Sequence, residues 1–310
     1  MSLQEVASPQ AGEVRLSALK RLTQRLAVTN SIAMGVLWVI TLLVAALFIY
    51  IIVFLIVQGA STLISPTFYG TSQEGIAPEL FNTFYILILT ELILVPISLA
   101  AAIFLVEYAH TLGERFKTII HEAAETLSGV PSLVLGMFGF LVFSVYAQLG
   151  ISRLAGALTL LCLNFPLGLR LFEQSLESVP GELREGGLAL GSTRWRTIRT
   201  VVLPSALPAI ITGVILTAGK IIGEAAALIF TMGLFNPANV FTLNPLIPSD
   251  TLTTRLYYIK GVGAGSSGLS SAQETALAAG LSAVLIILLL LINLSARVIG
   301  RAIQRRITAA

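Results

Sequence analysis

The sequence predicts an all-α membrane protein built as a bundle of six transmembrane helices. Charged residues make up 11% and apolar residues 55% of the 310 residues, whereas soluble domains average about 25% and about 45–50%. The mean hydropathy is +0.89. Several segments are apolar over the roughly 20 residues that a helix needs to cross a bilayer. These observations exclude an ordinary water-soluble enzyme.

Six apolar segments are predicted to span the membrane, and the first and the last of them carry no charge. Pro96, Pro131 and Pro166 interrupt helical hydrogen bonding inside or beside three of the others. Such breaks are tolerated at membrane depth only where neighbouring helices or a polar cavity satisfy the freed groups, so we expect a packed bundle. The predicted spans are residues 32–57, 81–106, 131–147, 154–171, 204–230 and 276–296.

The distribution of basic residues predicts the orientation in the membrane. Lys220 lies inside the fifth span, and Arg153, Arg255 and Lys260 fall on one side of the bilayer. The remaining 15 of the 19 Lys and Arg residues fall on the opposite side or at its edge. Because cytoplasmic segments are enriched in Lys and Arg, both termini are predicted to be cytoplasmic. The basic residues collect at the ends of apolar segments, so the net charge of +3 does not indicate nucleic-acid binding.

The predicted organisation is a transmembrane domain between two cytoplasmic tails. Residues 1–31 form the N-terminal tail, and the apolar run that follows is longer than the roughly 7–15 residues of a signal-peptide core. Residues 300–310 form the C-terminal tail. The domain between them, 32–299, contains a cytoplasmic loop at 173–203 and a long external loop at 236–275.

Two short motifs that would indicate enzymatic chemistry are incomplete or absent in this sequence. His121-Glu122 begins like the H-E-x-x-H motif of zinc proteases, but Glu125 stands where the second His is required. No segment matches the G-x-x-x-x-G-K-[ST] motif that binds ATP phosphates. If the chain pumps a solute, the energy is therefore expected to come from an ion gradient or from another subunit.

The cytoplasmic loop at 173–203 is predicted to contain two short helices. Pro180 precedes a helix at 182–190, Gly191 forms a turn, and a second helix covers 193–203. A short amphipathic helix outside the membrane suits a groove on a soluble partner, or equally the surface of anionic lipid. The residue types alone leave these two interpretations open.

The spacing within this loop favours the first interpretation. Glu185-Gly186-Gly187, three residues, Gly191, nine residues and then Val201-Val202-Leu203-Pro204 resemble the E-A-A-x3-G-x9-I-x-L-P signature of ABC-importer permeases. Two glycines replace the usual alanines, and Val201 replaces isoleucine. The resemblance implies the type I (MetI-like) permease fold and a contact with a cytoplasmic ATPase. The residues that it assigns to this contact are Glu185, Gly186, Gly187, Leu188, Ala189, Gly191, Arg194 and Pro204.

Two further segments resemble the permeases of phosphate importers, in particular the PstA-type subunit. They are 127–136 (LSGVPSLVLG) and 220–231 (KIIGEAAALIFT). The resemblance implies inorganic phosphate as substrate, a PstC-type second permease, a PstB-type ATPase dimer that binds ATP and Mg, and an external PstS-type phosphate-binding protein. It also implies a bacterial or archaeal cytoplasmic membrane, and a transport subunit that is not an enzyme and binds no cofactor. A permease for another oxyanion and an ion-gradient-driven secondary transporter remain alternatives.

Three ionisable residues at membrane depth are the candidates for a translocation path: Glu91, Lys220 and Glu224. Such groups are costly in a bilayer and usually functional. Lys220 and Glu224 are four residues apart, which predicts that they share one helix face. They form either part of a polar path at the subunit interface or a structural ion pair. Glu91 is expected to pair with Lys220 or with a residue of the second subunit.

Overall fold

The computed structural model describes residues 9–109, 113–234, 241–261, 265 and 268–308. Across these residues the regular structure is helical, without a β-strand. The chain divides into two compact units, residues 1–54 and 55–310. The first helix, α1 (Pro9–Ile64), begins in the first unit and ends in the second.

In the first unit, α1 has exposed side chains from Thr29 to Tyr50. This stretch is almost entirely apolar, and a helix that is apolar on all sides is typical of a membrane span. The helix starts at Pro9, so the predicted tail boundary at residue 31 does not interrupt the helix.

The described residues of the second unit form ten further α-helices. Short π-helical segments extend or join some of them, at Phe104–Tyr108, Phe140–Tyr146 and Ile198–Val202. The helices are α2 (Ala77–Ile103), α3 (Glu114–Ser128), α4 (Ser132–Gly139), α5 (Arg153–Glu177), α6 (Gly181–Ala189), α7 (Arg194–Thr197), α8 (Leu203–Gly223), α9 (Ala226–Thr231), α10 (Leu252–Lys260) and α11 (Ser271–Thr308).

Five helical stretches are long and apolar enough to cross a membrane, and a bent pair supplies a sixth. The five are 29–64, 77–108, 153–177, 194–223 and 271–300, and the bent pair joins 115–128 to 132–146 at 99°. The six-span prediction holds when the pair counts as one span. Gly129 ends α3 and Pro131 precedes α4, whereas Pro96 and Pro166 lie inside continuous helices.

The predicted fifth span, 204–230, is broken and requires a correction. Helix α8 ends at Gly223, Glu224 has an extended backbone (φ −81°, ψ 125°), and α9 begins at Ala226. Helix α9 packs closely on α4, because a Cβ atom added at Gly136 would lie 2.8 Å from Cα of Ala227.

Three apolar clusters form the core of the second unit. The first, at the ends of α2 and α5 nearest α6, includes Leu105, Phe172, Leu176, Ile198 and Val202. The second joins α10 and α11, and the third joins α4, α5 and α9. Leu176, Ile198 and Val202 of the first cluster belong to the predicted cytoplasmic loop at 173–203, hereafter called the coupling segment.

Arg153, at the start of α5, is completely buried and fixes the loop before α10. Its guanidinium donates to Oγ of Ser249 (2.8 Å), to Oδ1 of Asn82 (2.6 Å) and to the carbonyl of Thr242. It also lies 4.7 Å from the ring centroid of Tyr85. One side chain thus ties the segment 241–250 to α2 and α5. From the sequence, Arg153 contributes only to the predicted orientation in the membrane, and its contacts depend on the tertiary structure.

A second cluster of polar residues surrounds the buried Arg255 of α10. Nη1 of Arg255 lies 3.5 Å from Oε1 of Glu79, and Nη2 donates to the carbonyl of Gln73 (2.8 Å). Asp250 is 1% exposed beside them. Burial and the neighbouring Glu79 carboxyl raise the pKa of Asp250 to about 8, while Arg255 acts in the opposite direction. Two carboxyl groups therefore compete for one buried guanidinium.

We predict that Asp250→Asn flattens the pH dependence of stability. The unfolded carboxyl has a pKa of about 3.9 and the folded one of about 8, so the folded state retains a proton that the unfolded state loses. Folding stability contributed by this group is therefore lost as pH rises from about 4 to about 8. Thermal unfolding in detergent should show a larger decrease between about pH 5 and pH 8 for the wild type than for Asp250→Asn. Glu182→Gln, at an exposed position, is the control, and equal decreases in all three proteins would contradict the prediction.

Candidate functional site

The predicted coupling segment folds as a helix, a turn and a second helix. Helix α6 begins after Pro180, and Gly191 has the left-handed φ of 82° that glycine accommodates. The side chain of Thr193 then accepts a hydrogen bond from the backbone N–H of Arg196 (3.3 Å) and caps α7. The second helix does not end near residue 203 as predicted, because a π-helical segment joins α7 to α8.

The outer surface of this segment is open. No residue of α6 is buried, and Leu190, just beyond its end, is 89% exposed. Behind it lies a cavity of about 390 Å³, whose lining includes Arg184, Leu188 and Arg194. Seven of the eight residues assigned to the ATPase contact are exposed, and Gly187 is half-buried: Glu185, Gly186, Gly187, Leu188, Ala189, Gly191, Arg194 and Pro204.

The three charged residues at membrane depth do not form the pairs that the sequence suggests. Oε1 of Glu91 in α2 accepts a hydrogen bond from Oγ1 of Thr217 in α8 (2.7 Å). The structure shows no ion pair between Glu91 and Lys220 among the residues that it describes. Thr217 is not among the residues predicted from the sequence, because a Thr in an apolar helix gives no signal until its partner on another helix is known.

Glu224 is not part of α8, so Lys220 and Glu224 do not lie on one continuous helix as their spacing predicted. Glu224 lies beyond the end of α8, and its Oε1 accepts from the backbone N–H of Ala227 at the start of α9 (3.2 Å). Its backbone carbonyl accepts from Oγ1 of Thr253 in α10 (3.0 Å). Glu224 therefore stabilises the break between α8 and α9, and no ion pair joins it to Lys220 in the described structure.

Lys220 lies on an open stretch of α8. Its side chain is exposed, and Cβ atoms added at Gly219 and Gly223 would meet no other atom within 4 Å. Thr217, the partner of Glu91, precedes Lys220 by three residues and is thus a neighbour on the helix surface. The structure consequently brings Glu91 and Lys220 to the same part of α8 through Thr217.

His121 also has a role other than the zinc-protease motif that its sequence context suggests. Nε2 of His121 lies 3.1 Å from both carboxylate oxygens of Glu173, which is buried. The two residues line a cavity of about 360 Å³ between α3 and α5. The contact joins the two helices on either side of this cavity.

Comparison with known proteins identifies the family. Residues 95–309 match the family described as binding-protein-dependent transport system inner membrane component. The chain belongs to this family. It is 38% identical over 298 residues to the probable ABC transporter permease protein YqgI of Bacillus subtilis, covering 91% of this chain and 98% of the relative. It is 30% identical over 252 residues to the phosphate transport system permease protein PstA 1 of Mycobacterium tuberculosis, covering 77% and 79%.

The fold agrees with this assignment. A chain of the MetNI methionine ABC transporter in an inward-facing conformation superposes with a TM-score of 0.56 at 20% identity, covering 74% of this chain and 94% of that one. The prediction of an all-α, MetI-like permease fold is confirmed. The chain is thus a multi-pass inner-membrane permease subunit of an ABC importer, and the ion-gradient-driven alternative is not retained.

The two glycines that replace the usual alanines of the permease signature differ in their surroundings. A Cβ atom at Gly186 would meet nothing within 4 Å. A Cβ atom at Gly187 would lie 2.8 Å from Cγ2 and 3.0 Å from Oγ1 of Thr197 in α7. Gly187 therefore permits the close contact of α6 with α7, whereas Gly186 leaves room for alanine.

We predict opposite effects of alanine at these two positions. Gly186→Ala should stabilise α6 by up to about 1 kcal/mol, because alanine favours the helix and contacts nothing. Gly187→Ala should destabilise the segment by about 1–3 kcal/mol through overpacking against Thr197, and Thr197→Ala should restore it in the double variant. The measurement is limited proteolysis of the purified permease, in which the rate of cleavage between α5 and α8 ranks the local stability of the variants. Equal cleavage rates for the two single variants would contradict the assignment of the contact.

Proposed function

We propose that this permease is the PstA-type subunit of an ATP-driven phosphate importer. The similarity to a phosphate transport system permease over most of both chains supports the substrate. In the proposed complex the chain pairs with a PstC-type permease, a PstB-type ATPase dimer and a PstS-type binding protein. The ATPase subunits bind ATP and Mg; this chain binds neither and acts as a transport subunit, not an enzyme.

The observation that carries the proposal is the exposed position of Lys220. It lies within the span 194–223, where a charge facing lipid would be expensive. The glycines on either side leave its surroundings open. An exposed ammonium there suits a water-filled path shared with a second permease, in which it offsets the charge of a passing phosphate. Glu224, at the end of α8, adds negative charge that keeps phosphate from binding too tightly, and Glu91, held by Thr217, lines the same path.

The exposed surface of α6 is proposed to dock into the cytoplasmic ATPase. An amphipathic helix that projects from a membrane domain and carries no buried residue of its own suits a groove on a partner. This placement requires the positive-inside orientation, with both termini in the cytoplasm. The opposite side, including 58–80 and the described residues of 241–261, then receives the loaded binding protein.

Transport would proceed by alternating access. Closure of the ATPase dimer displaces α6 and with it the helices around the first apolar cluster, which opens the path to the external side. Hydrolysis reverses the movement and releases phosphate inward. Selectivity would reside mainly in the binding protein, so the path needs only weak compatibility with anions.

Lys220→Gln is expected to reduce uptake of radiolabelled phosphate by at least about tenfold, because Lys220 is the only basic residue of α8 (Leu203–Gly223) and the path loses its charge. Lys220→Arg, which keeps the charge, should retain uptake. Uptake is measured in proteoliposomes that contain both permeases, the ATPase and the binding protein. Co-purification of the subunits controls for assembly. Normal uptake by Lys220→Gln would exclude a role in the path, and competition by sulfate or molybdate as effective as that by phosphate would contradict the substrate.

Gly191→Val is expected to abolish ATP hydrolysis coupled to transport while leaving the permease in the membrane. The φ of 82° at Gly191 costs a β-branched residue roughly 1–3 kcal/mol, so α6 would leave its orientation. Gly181→Val is the matched control, because a Cβ atom there meets nothing within 4 Å and the backbone is helical. ATP hydrolysis stimulated by the loaded binding protein is the measurement. Stimulation that survives Gly191→Val would contradict docking through α6.

A further inference from the structure

Arg184 joins the coupling segment to two membrane helices. Its Nε lies 3.0 Å from Oε1 of Glu107, Nη1 donates to the carbonyl of Val179 (2.6 Å), and Nη2 donates to the carbonyl of Leu176 (2.6 Å). Arg184 belongs to α6, Glu107 to the π-helical end of α2, and Leu176 to the last turn of α5. The guanidinium of one α6 residue therefore contacts the ends of two other helices.

This contact stands out because α6 contributes little else to the core. None of its residues is buried, and none belongs to the apolar cluster at the ends of α2 and α5. Its contact through Gly187 is directed to Thr197 of α7. The Arg184 guanidinium is consequently the polar group through which α6 reaches α2 and α5 in the described structure.

The chemistry of the contact suits the transmission of a displacement. Carbonyls in the last turn of a helix lack intrahelical donors and favour a cation. The planar guanidinium presents several donors in a fixed arrangement, so movement of Arg184 acts on its three acceptors together. The side chains of Arg184 and Glu107 are 22% and 13% exposed, respectively, which reduces screening by water.

The contacted elements lead to the proposed path. Leu176 and Val179 belong to the first apolar cluster, together with Leu105 of the π-helical segment. Helix α2 carries Glu107 at this end and Glu91 within its span, where Glu91 accepts from Thr217 of α8. Glu107 itself lies in the π-helical segment that extends α2, and such segments often mark functional positions in a helix.

We infer that Arg184 is a positioning residue that transmits displacement of α6 to α2 and α5, and through α2 to the Glu91–Thr217 contact. The inference rests on the proposed docking of the ATPase to α6, and it assigns to Arg184 the step between docking and opening of the path. Arg184 itself does not need to touch the ATPase or phosphate. From the sequence, Arg184 is only one of the basic residues of the cytoplasmic loop.

The test uses the reconstituted complex with Arg184→Met and Glu107→Ala, and with Arg199→Met as the control for loss of an exposed arginine. The measurements are the amount of co-purified ATPase, the rate of ATP hydrolysis and the uptake of radiolabelled phosphate. Both test variants should retain the ATPase and its hydrolysis, whereas uptake per ATP falls by about 5–150-fold, the range of typical coupling free energies. Arg199→Met should behave as the wild type.

Spin-label distances separate transmission from a static structural role and do not depend on the substrate. In a Cys162→Ser background, one label pair at positions 182 and 207 reports α6 against α8, and a second pair at 88 and 216 reports α2 against α8. In the wild type, ATP should change both distances. In Arg184→Met the first change should persist and the second should disappear.

The outcomes distinguish this inference from the function on which it rests. Loss of ATPase binding in Arg184→Met would overturn transmission, because it would make Arg184 a docking residue. Unchanged uptake per ATP, or an α2 distance that still responds to ATP, would also overturn it. If the wild-type complex retains no ATPase, or the distance between labels 182 and 207 does not change with ATP, the proposed docking is contradicted. The inference, which rests on that docking, is then contradicted as well.

Discussion

The cost of removing a charged side chain from water governs where the few charges of this permease lie. A buried guanidinium is tolerated when several acceptors surround it, and the three most enclosed arginines among the described residues meet this condition. Arg153 has acceptors on α2 and on the loop before α10, Arg255 has Glu79 and Gln73, and Arg184 has Glu107 and two carbonyls. Because the acceptors of each arginine include groups outside the helix that carries it, each arginine joins separate elements.

A second constraint is the small driving force for apolar helices to associate in lipid. Association there depends on close van der Waals packing, which small residues permit. Gly136 allows α4 to approach α9, and Gly168 allows α5 to approach Ser98 of α2, where an added Cβ atom would lie 3.1 Å from Oγ. Gly187 has the same role in the coupling segment. These positions permit close distances between helices, and the arginines add polar contacts between them.

The two constraints together make α2 the connecting element of the second unit. It packs along α5, meets Arg184 at one end, and carries the acceptors of Arg153 and Arg255 at the other. Glu91 lies between these ends and contacts α8. A helix with polar contacts along its whole length can respond as one body, which is what coupling between a cytoplasmic motor and a membrane path requires.

The lengths of the apolar segments and the spacing of a few residues predict much of the secondary structure of this protein. The segments had to be helical because backbone groups in lipid must be satisfied within the segment, and Gly191 marked the turn after α6 because its backbone is left-handed. The break at Glu224 was not predictable, because the contacts that accompany it involve Thr253 of α10 and the packing of α9 on α4, which are distant in sequence. The partners of Arg153 and Arg184 were equally hidden, because 71 and 77 residues separate these arginines from Asn82 and Glu107. The sequence alone thus determined the class, the helices and the coupling segment. Only the tertiary structure decided which charges meet, because no local pattern encodes contacts between distant helices.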